Sequence, residues 1–256
     1  MNDKVLLSWF GPINFILACL VVFIHTYNAS AYHLVYDGGL NTAVLCVEDL
    51  ISQDFAHVAV PIFFAISGYL FFRNVSFTNL SEKLSRRIHS LVIPYIVWNA
   101  IYVVLFLILA NIPIISENLN SIQNIDVDLR YFVKGVFFYG SNYIMWFVYQ
   151  LLIYVFVLSP VLLLVLKNKY LTVCTILLWA TVYSRGYLEI PQLSNTTVAV
   201  GCYPDMLCYF LLGGFLAKYK PFLPQKKMNM CMAIALFAVA QALWVINRGG
   251  VQILES

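Results

Sequence analysis

Apolar residues run along this chain in blocks of about twenty, separated by short polar segments, the pattern of membrane-spanning helices. Seven blocks stand out, at 12–32, 55–72, 91–110, 143–166, 170–186, 198–217 and 229–247. About twenty apolar residues in a helix cross the roughly 30 Å of hydrocarbon in a bilayer. Blocks three, four and seven meet that length. The second carries Pro61 and Gly68 and the fifth is short, so neighbouring helices are expected to shield both. A transmembrane barrel would instead alternate apolar and polar residues over strands of about ten. The pattern therefore predicts an all-α, polytopic membrane bundle of about seven spans, forming a single domain over 1–256. The longest polar stretch, 111–142, reads as an extracytoplasmic loop packing over the bundle.

The intervening segments alternate in charge. Segment 73–90 holds Arg73, Lys83, Arg86 and Arg87 against Glu82; 167–169 holds Lys167 and Lys169; 218–228 holds Lys218, Lys220, Lys226 and Lys227. The other segments carry most of the acids, among them Asp37, Glu48, Asp49, Asp54, Glu117, Asp126, Asp128 and Glu189. Basic residues collect on the cytoplasmic side, which predicts a cytoplasmic N-terminus and a C-terminus on the far side.

Composition agrees with this reading. The chain has 256 residues, 62% of them hydrophobic and only 11% charged, where soluble domains carry about 25% charged residues. No basic stripe interleaved with exposed aromatics points to nucleic acid. Four of the six cysteines, Cys19, Cys174, Cys208 and Cys231, fall within apolar blocks, where cysteine acts as a small apolar side chain. A Cys46–Cys202 disulfide cannot be argued from spacing, and no metal-ligand spacing, Walker loop or GxGxxG turn occurs. Lys4, the first apolar block and Ala29-Ser30-Ala31 imitate a cleavable signal peptide. The charged start is thin, however, and the block continues directly into a multi-span chain, so retention is expected.

One residue breaks the first block. In INFILACLVVFIHTYNAS, His25 follows an almost unbroken apolar run. A charged side chain at such depth costs on the order of 2–3 kcal/mol, and ionisable residues there usually face a bundle interior or wet cavity. The plain alternative is a structural histidine, hydrogen-bonded to a carbonyl or to a neighbouring Asn or Tyr.

Further stretches carry a pattern: VPIFFAISGYLFF (60–72), KLSRRIHSLVIPYIVW (83–98), MWFVYQLLIYVFVLSP (145–160) and, more weakly, YFLLGGFLAKY (209–219). Together with VVFIHTYN around His25, their order and spacing resemble the acyltransferase-3 family of integral membrane acyltransferases. The FFxxSGY element (Phe63, Phe64, Ser67, Gly68, Tyr69), a basic segment and Pro94-Tyr95 are its most specific part. The resemblance covers nearly the whole chain.

The resemblance implies transfer of an acyl group, commonly acetyl, from acyl-coenzyme A to a hydroxyl, usually of a cell-surface sugar or lipid-linked sugar. It implies no permanently bound cofactor and no metal, a bacterial inner-membrane location, and His25 as the catalytic residue. A neutral imidazole can remove the hydroxyl proton as the oxygen attacks the thioester, a contribution of roughly 10²–10⁴ in rate. Apolar surroundings would disfavour its charged form. Arg87 matches the family arginine seven residues before Pro94; with Arg86 and Lys83 it is expected to bind coenzyme A phosphates, although topology alone also calls for basic residues there. Asn14, Ser67, Tyr69, Trp146 and Asp205 are pore or substrate candidates. Ser67 and Gly68 equally suit close helix packing, Trp146 an interfacial belt, and Asp205 a watery helix end. His33, His57 and His89 stand near the span ends.

The chain departs from the family at two positions and in length. Asn14 stands where many members have an arginine eleven residues before the histidine, and Ser90 where a second basic residue often follows the one at Arg87. Seven spans against the usual ten or so suggest that the last spans are missing, which would expose helix faces and favour oligomers. Two other classes compete: an exporter of a small solute or lipid-linked sugar, for which no paired half-repeats are found, and an inactive shortened relative.

Overall fold

In the computed structural model, residues 3–26, 40–112, 129–138, 142–184 and 204–219 are described. All regular structure among them is helical, with no strand. Helix α1 covers Asp3–His25, α2 Leu40–Glu48, α3 Ala59–Phe72, α4 Leu80–Arg87, α5 Ile93–Ala110, α6 Leu129–Phe137, α7 Trp146–Leu152, α8 Ser159–Val165, α9 Lys169–Ser184 and α10 Pro204–Tyr219. Several of these join end to end. Four continuous helical stretches are long and apolar enough to cross a membrane: Leu7–His25, Val44–Phe72, Leu80–Ala110 and Trp146–Val165. Lys169–Ala180 and Met206–Tyr219 are apolar but shorter. The predicted block at 229–247 lies outside the described residues, as do His33, Cys202 and the end of the first block.

Three joints inside these stretches are wide, π-helical turns: Asp49–Phe55, Ile88–Val92 and Ile153–Leu158. In two of them an N–H reaches five residues back, from Ala56 to the Ile51 carbonyl and from Ile93 to the Ile88 carbonyl. Each wide turn lies a short way before a proline, Pro61, Pro94 or Pro160. Proline lacks an N–H, and its ring crowds the carbonyl four residues back. Slipping the preceding bonds by one residue relieves that crowding without ending the helix. Proline therefore does not stop these spans.

The helices extend beyond the apolar blocks. Residues 40–54, expected as an acidic outer loop before the second block, are helical and carry Glu48 and Asp49 half-buried. The basic segment 73–90 is mostly the first turns of a 31-residue helix, Leu80–Ala110. At 1.5 Å per residue such a helix is about 46 Å long, well beyond a bilayer's hydrocarbon. Hydropathy marks where lipid is, and a helix need not end there. The fourth block, by contrast, is recovered almost residue for residue as Trp146–Val165.

The described residues divide into two compact units, one up to Ile66 and the other Ser67–Tyr219. In the first, α1 rests on the turns Asp49–Phe55 and Ala56–Val58. Leu17, Leu45, Ser52, Ala56 and Ala59 are buried there. Most of α1 is bare: Trp9, Phe15, Ile16, Val22 and Phe23 are all exposed. In lipid, exposed apolar side chains carry no penalty.

The second unit has a dry aromatic core. A Cβ on Gly68 would fall on the carbonyl oxygen of Phe210, so α3 and α10 touch backbone to backbone. A Cβ on Gly214 would meet Phe72 Cδ2 at 2.6 Å. Small residues at such crossings are the usual device by which helices approach in lipid. Phe210 packs against Phe72 at 5.4 Å and Tyr154 at 5.6 Å between ring centroids, with Phe71 at 6.2 Å. The helix hairpin α8–α9 is fixed by Asn168, whose Oδ1 accepts from the N–H groups of Tyr170 and Leu171 at 2.9 and 3.1 Å. Tyr219 Oη donates to the Leu166 carbonyl at 2.6 Å and ties α10 to that hairpin.

Segment 111–142 is more than a loop. Its helix α6 packs on α5. Tyr95 Oη donates to the Phe137 carbonyl at 3.0 Å, and Asn99 Nδ2 to the Val136 carbonyl at 3.2 Å. These are carbonyls at the end of α6, where a helix has no internal donors left. Asn99 is fully buried in an otherwise apolar helix, and this docking explains one half of its amide.

Candidate active site and anion pocket

Arg73, Lys83, Arg86 and Arg87 converge on one cavity of about 500 Å³, with Glu82 as its one acid. Their convergence depends on the turn between α3 and α4. Helix α3 ends at Phe72, and Asn74 takes a left-handed conformation at φ 56°, which asparagine tolerates better than most residues. Asn79 locks the turn: its Oδ1 accepts from the Ser76 N–H at 2.8 Å and its Nδ2 donates to the Asn74 carbonyl at 3.0 Å. The reversal aims Arg73, from the end of one helix, at the first turns of the next.

On α4, successive residues are 100° apart, so Lys83 and Arg87 share one stripe and Glu82 and Arg86 the adjacent one. The two stripes differ. Lys83 and Arg87 are half-buried, and no carboxylate pairs with either among the described residues. The Lys83 ammonium donates to the Arg73 carbonyl at 2.6 Å and lies 5.7 Å from the centre of the Phe71 ring. Arg86 and Glu82 form an ion pair with side chains 72% and 68% exposed.

The charges of the 31-residue helix all precede Ile93, so Lys83 and Arg87 lie outside its apolar, membrane-crossing part. Burial, and then the guanidinium groups of Arg87, Arg86 and Arg73, lower the Lys83 amine from its ordinary 10.5 to about 8. Burial alone lowers Arg87 from its ordinary value, and a guanidinium stays charged at neutral pH even so. Like charges crowded together at partial burial are relieved by an anion. Arg forks match phosphate oxygens in pairs, with hydrogen bonds about twice as strong as neutral ones.

The other expected site residues fall in several places. His25 is the last residue of α1 and its side chain is exposed among the described residues, where the sequence suggested burial. The helix begins at Asp3, earlier than expected, and the 19 residues Leu7–His25 alone span about 27 Å. His25 is the last residue of that candidate span. Asn14, three turns earlier on nearly the same stripe, is half-buried, and its Oδ1 is shut off without a hydrogen-bond partner among the described residues. Tyr69 is buried and Ser67 half-buried beside the Gly68 crossing, in keeping with a packing role. Trp146 is half-buried at the start of α7, and Asp205 is the second residue of α10. His57 is exposed and donates from Nδ1 to the Ser52 carbonyl at 3.0 Å. Ser90 lines the cavity on the second wide turn. Among the described residues, no group of His, Cys, Asp and Glu is placed to hold a metal ion.

Sequence reasoning missed Asn74, Asn79 and Glu82 as cavity residues, and counted Arg73 only toward topology. The available signal was the pair of asparagines flanking a short polar turn. It also missed Asn99 and Gln150, both fully buried, although each interrupts an apolar run as His25 does.

Residues 13–250 match the profile of the acyltransferase-3 family, described as an acyltransferase domain. The chain belongs to that family of membrane acyltransferases. Neither a curated protein nor a solved structure matches the chain. The sequence motifs now have a physical arrangement. The 60–72 and 209–219 stretches meet at the Gly68–Phe210 crossing, and the 83–98 and 145–160 stretches at Tyr95 and Tyr149, whose rings stand 6.3 Å apart.

Proposed function

We propose that the protein transfers an acyl group, acetyl in the first instance, from acyl-coenzyme A to a hydroxyl of a cell-surface glycan or lipid-linked sugar at the bacterial inner membrane. The observation that carries the donor half is the cavity with four cations and one acid on family-matched helices. Coenzyme A is a polyanion, and Arg87, Lys83 and Arg73 would take its phosphates, with the basic end of the unit on the cytoplasmic side.

Within this reading His25 is the base. Its neutral imidazole accepts the acceptor's hydroxyl proton as the oxygen attacks the thioester carbonyl. The carbon–sulfur bond then breaks, the ester forms, and coenzyme A leaves as the thiol after taking a proton. The position of His25 at the end of an apolar span suits a base that must meet a polar acceptor.

The test is mass spectrometry of surface glycans from cells with and without the gene, and with His25→Ala. The expected result is the loss of one acyl mass in the deletion and in the variant, with the variant still inserted in the membrane. Undiminished acylation with His25→Ala would remove the imidazole from the mechanism, and an unchanged glycan in the deletion would remove that acceptor class.

A further inference from the structure

The two stripes of α4 divide the cavity's cations by availability. Lys83 and Arg87 have no carboxylate partner among the described residues and present their charge to whatever enters. Arg86 is different: its guanidinium is already held by Glu82, one helical turn away and lining the same cavity. A carboxylate facing an anion site repels the ligand and occupies a donor the ligand could use. We infer that Glu82 is an internal competitor for Arg86, so that a ligand recruits Arg86 only by bringing a further anionic group that displaces the carboxylate. This rests on the reading of the cavity as a coenzyme A phosphate site and refines it: Glu82 sets which phosphate-bearing ligands the site prefers.

Three features support the exchange. The Glu82–Arg86 pair is exposed, and such pairs are weakly held, so opening it costs little. The pair spans i to i+4 on one helix face, so Arg86 can swing toward the Arg87 stripe without backbone movement. Phosphate also offers an arginine a geometry at least as good as a carboxylate does. Glu82 therefore acts as a selector. Ligands with one phosphate group meet Lys83, Arg87 and a repelling acid, whereas a ligand with phosphates at two places also engages Arg86.

The experiment is titration of the purified full chain in detergent with coenzyme A and with 3′-dephospho-coenzyme A, comparing wild type, Glu82→Gln, Arg86→Gln and the double variant. Glu82→Gln should bind coenzyme A about two- to fivefold more tightly, the range expected for freeing an exposed pair. Its gain for 3′-dephospho-coenzyme A should be smaller, and most of the gain should vanish in the Arg86→Gln background. Unchanged or weaker binding by Glu82→Gln, with wild type binding normally, overturns the competitor and leaves the donor reading standing. A gain that survives Arg86→Gln also overturns it, because Glu82 would then act through the general field. Folded wild type that binds no coenzyme A brings down the donor reading and this inference together.

Discussion

The α3–α10 crossing and the basic cavity lie within a few residues of each other along α3, yet they are built on opposite principles. At Gly68 everything is excluded: two backbones touch, and Phe72, Phe210 and Tyr154 fill the space around them. Past Phe72 the chain reverses through Asn74, and four cations gather around a cavity. Packing in lipid gains from contact, because lipid tails solvate apolar groups as well as protein does and only close fit discriminates. Charge at a half-buried surface gains from the opposite, space left for a counter-charge. The SGY motif is therefore legible as the frame and the basic segment as a surface open to a counter-charge.

The largest effect that can break this contrast is Gly68→Val. With a carbonyl where the new Cβ must go, the helices have to separate, and a loss of about 3 kcal/mol or more is expected. A thermal melt or size-exclusion profile in detergent would read it as a large drop in melting temperature or an aggregated protein. Gly11→Ala is the control: nothing lies within 4 Å of its Cβ position, so the change should be under about 1 kcal/mol.

Next in size is Asn99→Leu. It strips the Val136 carbonyl of its donor; an unpaired carbonyl costs about 1–3 kcal/mol when buried, and this half-buried one belongs at the low end. Part of that is returned, since Asn99 Oδ1 itself has no partner among the described residues. Tyr95→Phe should cost less, about 1 kcal/mol, and the double variant should be less than additive because both bonds hold the same helix end. Equilibrium unfolding of the three variants would check this order.

The smallest effect sharpens the cavity side. Lys83 holds its proton below about pH 8, and a bound phosphate favours the protonated form. Binding of coenzyme A should therefore weaken severalfold as pH rises from about 7 to about 9, and Lys83→Arg should flatten that slope. The apo protein should respond in the other direction. Its lysine gives up the proton near 8 while an unfolded lysine keeps it to about 10.5, so stability should rise with pH across that window. A titration series and melts over the same pH range read both slopes, and parallel slopes for wild type and Lys83→Arg would contradict the assignment.

Much of this was legible in the residues. Apolar blocks announce helices in lipid, and the Trp146–Val165 span shows how well they do where both ends are bounded by polar turns. The ends of Leu80–Ala110 and of the second span were not legible, because charged residues on a protruding helix look the same as charged residues in a loop. The basic residues 83, 86 and 87 were visible, but binding and topology demand the same side chains. What separates them is Arg73 arriving from another helix, and that depends on a left-handed asparagine that no periodicity reports. Asn99 was readable by the argument that singled out His25: a polar group in an apolar run needs a partner.

The most direct measurement is the affinity of the purified protein for coenzyme A, wild type against Arg87→Ala, from about 50 to about 500 mM salt. Binding by wild type that weakens with salt, and at least a tenfold loss in Arg87→Ala with an unchanged melting temperature, is the predicted result, since a charge-assisted contact contributes about 1.5–3 kcal/mol. Equal, salt-insensitive binding by both proteins would mean that the cations of α4 serve topology alone.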